Sequence, residues 1–216
     1  MEDAERMDEI LERLERTFPV GWSPRRRDAF TTLIAVILSQ NTTSKASTEA
    51  FERLQQRFDI RPEVLASVDP EEIKPLIRSA GLHEMKSRRI VYVSKTVMER
   101  FGGGLDHVMK LPFHEARAAL MGMEGIGPKT ADVVLAFASG REILPIDTNI
   151  FRVANRIGLV RGRDYEKTRT TLEGLIPPDK RLDAHLLLIR LGREFCRARN
   201  PRCGVCPINN LCDKNI

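Results

Sequence analysis

The sequence predicts an all-α protein, and three observations carry that prediction. Apolar residues recur at helical spacing along nearly the whole chain, Gly and Pro breakers cut that pattern into ten to twelve short helices, and no two β-branched runs exist that could pair as strands. The first eighteen residues, MEDAERMDEILERLERTF, are acidic and patterned as a helix. Phe30 to Leu38 is apolar all round, which fits a short buried strand or a buried helix; with no second such run to pair with, it reads as a buried central helix. Amphipathic faces follow in Ala46, Ala50, Phe51 and Leu54, in Ile90, Val93 and Val97, and in Ala131, Val134, Leu135 and Ala138. The breakers lie at 19–24, 61–62, 69–70, 102–104, 125–128, 140, 158–162 and 177–178. No repeat, low-complexity stretch or long linker interrupts them.

A chain of 216 residues with 42% apolar content can bury a sizeable core in one or two domains. It has no apolar run long enough to span a bilayer and no basic leader followed by an apolar stretch, so a cytoplasmic protein is expected. The formal charge is +5. Basic residues cluster at Arg25, Arg26 and Arg27, at Lys86, Arg88 and Arg89, and at Arg193, Arg197, Arg199 and Arg202, a distribution suited to a polyanion. Aromatic residues make up only 6%, with one Trp (Trp22) and two Tyr (Tyr92 and Tyr165), which argues against a surface stacking a long single strand. The four histidines (His83, His107, His114 and His185) show no ligand spacing, and His185 falls on an apolar run as a core residue would. Walker, Rossmann, HExxH and Ser-nucleophile patterns are missing.

Two segments carry chemistry. Residues 113–137 read as helix, GIG turn and helix, with Gly125 and Gly127 bracketing the turn. Backbone N–H groups at the start of the second helix, together with its dipole, suit a DNA phosphate, a contact that fixes register without reading sequence. A GxG pair alone is more often an ordinary helix connection. The second segment is the cysteine set Cys196, Cys203, Cys206 and Cys212, all at the C-terminal end. In a chain with no leader a metal is favoured over disulfides, and the residue types alone admit either zinc or an iron-sulfur cluster.

MEGIGPKTA over 123–131 resembles the helix-hairpin-helix motif of DNA glycosylases, and PIDTNIFR over 145–152 resembles the segment that carries their aspartate. Lys129 is the residue of the bifunctional endonuclease III branch, where other branches carry Ser or Tyr. DAFTTLIAVILS over 28–39, GLHEMKSR over 81–88 and the cysteine spacing extend the likeness over almost the full chain. The resemblance implies a two-lobed glycosylase: a six-helix core with the hairpin over 20–135, and a second lobe from 1–19 plus 136–216 bearing a [4Fe-4S] cluster on the four cysteines, with a DNA cleft between the lobes. It implies a base-excision-repair glycosylase with AP lyase activity, a monomer acting on duplex DNA that holds a damaged base, oxidised pyrimidines being the family expectation.

Taken alone, a Lys at a helix start is ordinarily solvated and an Asp before Thr is ordinarily a helix cap. Within these motifs Lys129 becomes the nucleophile and Asp147 both the cap of the following helix and the group that stabilises charge on the sugar. A helix N-terminus and partial burial would lower the Lys129 pKa, and a nearby Asp147 would raise it. By family position Gln40, Asn41 and Leu82 fill the gap left by the flipped base. Lys86 and Arg88 are expected on phosphates, as are the turn residues Gly125, Gly127 and Thr130, and the cysteine loop would present Arg197, Arg199 and Arg202. Three residues depart from the family pattern: Glu124 and Pro128 stand for the common Pro and Arg, and Asn149 for a common His. The alternatives are a glycosylase of the same fold for oxidised guanine or mismatched thymine, and a DNA-binding module without activity.

Overall fold

Residues 2–18 and 27–215 are described by a computed structural model, so Trp22, Arg25, Arg26 and the 19–24 breaker lie outside the described residues. Twelve α-helices appear among the described residues, and no strand. In chain order they are α1 (Asp3–Thr17), α2 (Ala29–Ser39), α3 (Ser44–Arg57), α4 (Pro62–Leu65), α5 (Pro70–Ile73), α6 (His83–Phe101), α7 (Asp106–Lys110), α8 (Phe113–Met121), α9 (Pro128–Ser139), α10 (Thr148–Ile157), α11 (Tyr165–Leu175) and α12 (Arg181–Glu194). The chain divides into two compact units, one of Arg25–Gly140 and one joining Met1–Pro24 to Arg141–Ile216.

In the first unit α2 is the buried centre. Phe30, Leu33, Ile34, Ile37 and Leu38 are all buried, and α9, α3 and α6 pack around them. This settles the Phe30 to Leu38 run as helix: Asp28 caps it by accepting from Thr31 N, and its burial on every side explains the lack of a polar face. Where six helices are expected here, the described residues contain eight, since α4 and α5 are single four-residue turns, each opened by a proline in its first turn.

The second unit closes on one core. Met7, Ile10, Leu11 and Leu14 of α1 meet Ile150, Val153 and Ile157 of α10, Leu172 of α11, and Leu187, Leu188 and Leu191 of α12. The chain reaches this core at Leu144 and Ile146, which are buried on a non-helical stretch leading into α10. Ile208 and Leu211 fold the C-terminal tail onto the same core.

Candidate active site and DNA interface

In the first unit the hairpin is α8, a turn at 122–127, and α9. A buried carboxylate locks its two arms: Asp132 of α9, fully inaccessible, receives Arg117 of α8 at 2.7 and 3.3 Å. The two glycines play different parts. Gly125 has φ +78°, a conformation only glycine holds without strain, whereas Gly127 has φ −91° and is the extended N-cap of α9. A methyl group at Gly127 would meet nothing within 4 Å, so that glycine leaves the helix entrance open. No side chain caps α9, and Pro128 sits in its first turn, where its lack of an N–H is harmless. Lys129 is half-buried in that turn, and Thr130 is buried.

The turn is wired to the end of α2. Gln40 donates from Nε2 to Thr130 Oγ1 at 3.3 Å and accepts from Arg89 Nη1 at 2.8 Å. Arg89 in turn lies where a Gly125 side chain would be, since a Cβ there would stand 2.1 Å from Arg89 Nε. Arg89 thus bridges the hairpin and the Gln40 loop, and sequence reasoning missed it. Its signal was available: it stands one helical turn beyond Lys86 on α6, in the same basic cluster.

Asn41 and Leu82 share a geometry that sequence does not reveal. Both are non-glycine residues in the left-handed region, at φ +52° and +50°. For Leu82 this costs about 1–2 kcal/mol relative to ordinary backbone, and less for Asn41, since asparagine tolerates the region. Both are exposed; Leu82 is 51% accessible and belongs to no core. Strained, exposed tips of this kind mark functional loops.

Lys86 requires a correction. It cannot lie on a phosphate, because it is fully buried and its Nζ donates to Leu38 O at 2.9 Å and Ala80 O at 2.8 Å. Burial, with a smaller contribution from the Arg89 charge, pushes its pKa down to about 8. The sequence places it in a basic run; the α6 face it occupies turns inward, next to buried Ser87 and Ile90. Arg88 on the adjacent face is exposed.

In the second unit, Asp147 caps α10. Its Oδ1 accepts from Asn149 N at 2.9 Å and Ile150 N at 2.8 Å, and its Oδ2 from Asn149 Nδ2 at 2.7 Å. Asn149 is itself held, since its Oδ1 accepts from Arg152 Nη2 at 2.9 Å. Arg152 continues to Gly192 O at 2.9 Å and, from Nε, to Cys196 O at 2.7 Å. A hydrogen-bonded series therefore runs from the Asp147 carboxylate to the backbone of the first cysteine. The extended stretch before Asp147 is fixed by side chains in place of a sheet: Arg181 donates to Glu142 O at 2.8 Å, Leu144 N donates to Glu173 Oε1 at 3.0 Å, and Ile146 N donates to Tyr165 Oη at 3.4 Å. His185, buried as its apolar run predicts, lies 2.7 Å from Pro145 O through Nδ1, which must carry the proton.

The four cysteines line one cavity with Arg156, Leu191, Phe195 and Ile208. All are free thiols of intermediate exposure. No three His, Cys, Asp or Glu among the described residues converge as a single ion requires. Arg156 Nη1 donates to Cys196 Sγ and Lys214 N to Cys212 Sγ, the donors that sulfur ligands of an iron-sulfur cluster use. The residues fit that group. Arg197, Arg199 and Arg202 stand exposed on the loop between the first two cysteines.

Residues 34–178 match the HhH-GPD superfamily of base excision DNA repair proteins, and residues 196–212 match the iron-sulfur binding domain of endonuclease III. The endonuclease III of Thermotoga maritima is 32% identical over 96% of this chain and 92% of its own length; that of Haemophilus influenzae is 36% identical over 95% and 93%. The chain belongs to the endonuclease III family. A solved structure of a trapped endonuclease III–DNA covalent intermediate, an estranged-adenine complex, matches with a TM-score of 0.85 at 30% identity, covering 99% of this chain and 97% of that one. As an endonuclease III family member the protein carries a [4Fe-4S] cluster, and the zinc alternative falls with the 196–212 match.

Proposed function

We infer that the protein is a base-excision-repair DNA glycosylase with AP lyase activity, with Lys129 as nucleophile and Asp147 as the carboxylate that serves the sugar. The observation that carries the reading is a half-buried lysine in the first turn of the hairpin's uncapped second helix, within a chain of the endonuclease III family. The relatives named for endonuclease III, and the solved structure of a trapped endonuclease III–DNA covalent intermediate, support it.

The chemistry follows from the amine. A damaged base, swung out of the duplex, exposes C1′ of its deoxyribose. Neutral Lys129 attacks C1′, the C1′–N bond breaks, and the base leaves with the electron pair and takes up a proton. Ring opening gives an iminium joining Lys129 Nζ to C1′. That cation draws electrons from C2′, whose proton is lost, and the 3′ phosphate departs by β-elimination. Asp147 stabilises positive charge as it forms on the sugar. Its lone pairs already accept three hydrogen bonds, which fix the carboxylate in direction. Gly125, Gly127 and Thr130 present the hairpin to a phosphate, Gln40, Asn41 and Leu82 fill the vacated stack, and Arg88, Arg197, Arg199 and Arg202 meet the backbone. When bound, the cluster supplies a rigid cross-link to a tail whose described residues form no regular helix beyond short 3-10 turns.

The protein acts on duplex DNA as a monomer in the cytoplasm, and oxidised pyrimidines are its substrates. Among the described residues no helix is long and apolar enough to cross a membrane. Borohydride trapping tests the reading: wild type cross-links to duplex DNA holding an oxidised pyrimidine, and Lys129→Ala does not. Persistent trapping in the variant would remove Lys129 from the mechanism.

A further inference from the structure

The correction at Lys86 leaves a buried cation with no part in the chemistry above, and its two partners show what it does. Leu38 O lies in the last turn of α2, two residues before Gln40 and three before Asn41. Ala80 O closes the short 3-10 turn two residues before Leu82. One ammonium therefore joins the stems of two segments of this unit whose exposed tips carry left-handed, non-glycine residues, Asn41 and Leu82. These stems are 42 positions apart in sequence, counting from Leu38 to Ala80, and α6 is the element that spans them. One turn further along α6, Arg89 binds the Gln40 side chain itself. An apolar residue of the same length at 86 would fill the space and leave two buried carbonyls without a donor, so the ammonium is not there for packing alone.

We propose that Lys86 is a positioning residue that ties the Gln40–Asn41 tip to the Leu82 tip, so that both enter the duplex as one rigid unit when the base is flipped. The proposal rests on the reading of this chain as a base-flipping glycosylase. A lysine suits the task because three donors on a flexible stem can satisfy two carbonyls from different segments, while its charge strengthens both bonds. Strain at the two tips makes such a tie necessary, because a left-handed leucine relaxes to ordinary backbone once its stem is free.

The test compares Lys86→Met, which keeps length and removes every donor, with Lys86→Gln, which keeps two N–H donors without charge. Four quantities are measured: thermal stability, single-turnover excision of an oxidised pyrimidine from duplex DNA, the fluorescence rise of 2-aminopurine placed opposite the lesion, and cleavage of an abasic site in single-stranded DNA. Lys86→Met is expected to lose between about tenfold and a hundredfold in duplex excision, the scale of a small misplacement of acting groups. The fluorescence rise should fall with it, while cleavage of the single strand stays within about threefold of wild type. Lys86→Gln should recover part of the excision. Combined with Leu82→Ala, Lys86→Met should add little further loss, because the wedge it positions is already gone. Additive losses in that double variant, an unchanged fluorescence rise, or equal losses on duplex and single strand would overturn the proposal. So would failure of both variants to fold, which would make Lys86 a residue of core stability only. Absence of excision and of abasic cleavage in the wild type would instead overturn the glycosylase reading beneath it.

Discussion

The GIG turn contains two glycines that sequence cannot rank, and the structure predicts opposite outcomes for their replacement by alanine. At Gly125 the added Cβ would stand 2.1 Å from Arg89 Nε, 2.4 Å from Cζ and 2.7 Å from Nη2, on a backbone at φ +78°. Two costs follow. The left-handed alanine is strained by about 1–2 kcal/mol. Arg89 must also swing away, breaking its 2.8 Å bond to Gln40, and a bond to a charged group contributes about 1.5–3 kcal/mol when buried, less here because the arginine is half-exposed. Together they predict a loss of about 2–4 kcal/mol, and for a chain of this size a fall in Tm of roughly 5–15 °C. At Gly127 neither cost arises: φ is −91° and nothing lies within 4 Å. Gly127→Ala should melt within about 2 °C of wild type and still bind duplex DNA less tightly, because a phosphate docked at the helix end as proposed would meet its methyl group.

Thermal denaturation and a DNA-binding titration on both variants decide the matter. The coupling can be isolated in an Arg89→Ala background, where Gly125→Ala should cost only the left-handed strain, about half its effect in wild type. If Gly125→Ala melts with wild type, or if it costs as much without Arg89 as with it, the contact between turn and arginine does not support the hairpin.

Further outcomes are expected. The folded pKa of Lys86, about 8, lies below the ordinary 10.5, so between those values the folded chain binds fewer protons than the unfolded one and stability rises with pH. Wild type should therefore gain up to about 1.4 kcal/mol per pH unit in that window relative to Lys86→Met, measured by urea unfolding; parallel curves would refute it. Gly192→Ala places a methyl group 2.7 Å from Asn149 Cβ, and should slow excision by about tenfold while DNA affinity holds, an effect absent if Asn149 has no influence on Asp147. Cys203→Ser should lower stability and DNA affinity together and bleach the absorbance near 400 nm; a folded, colourless variant with unchanged affinity would separate the loop arginines from the cluster.

Much of the site was legible because its chemistry is local. The cap at Asp147, the glycine turn and the cysteine spacing each depend on neighbours within a few positions, and sequence displays those. Lys86 and Arg89 were misread or missed for the opposite reason. A basic run on an amphipathic helix looks solvated wherever the pattern of its apolar neighbours is ambiguous, and Lys86 precedes Ser87 and follows Met85, neither of which declares a face. What buries Lys86 is a pair of carbonyls, one 48 positions and one 6 positions before it, and no propensity or spacing records an orphaned carbonyl. The same limit hid the left-handed tips, since asparagine tolerates that region and leucine gives no sign of it.

The departures at Pro128 and Asn149 also become intelligible only with partners in view. Pro128 fits the first turn of α9, where no N–H is needed, so a family difference beside Lys129 leaves the helix entrance intact. Asn149 is more consequential. Its amide donates to Asp147 and accepts from Arg152, so one short side chain serves both sides of the series that ends at Cys196 O. An imidazole offers a donor and an acceptor too, but on a wider ring, and Gly192 already lies so close that its own Cβ would collide with Asn149. Close packing at Gly192 and a small amide at 149 are therefore one solution: enlarging either residue displaces the other, and with it the orientation of the Asp147 carboxylate.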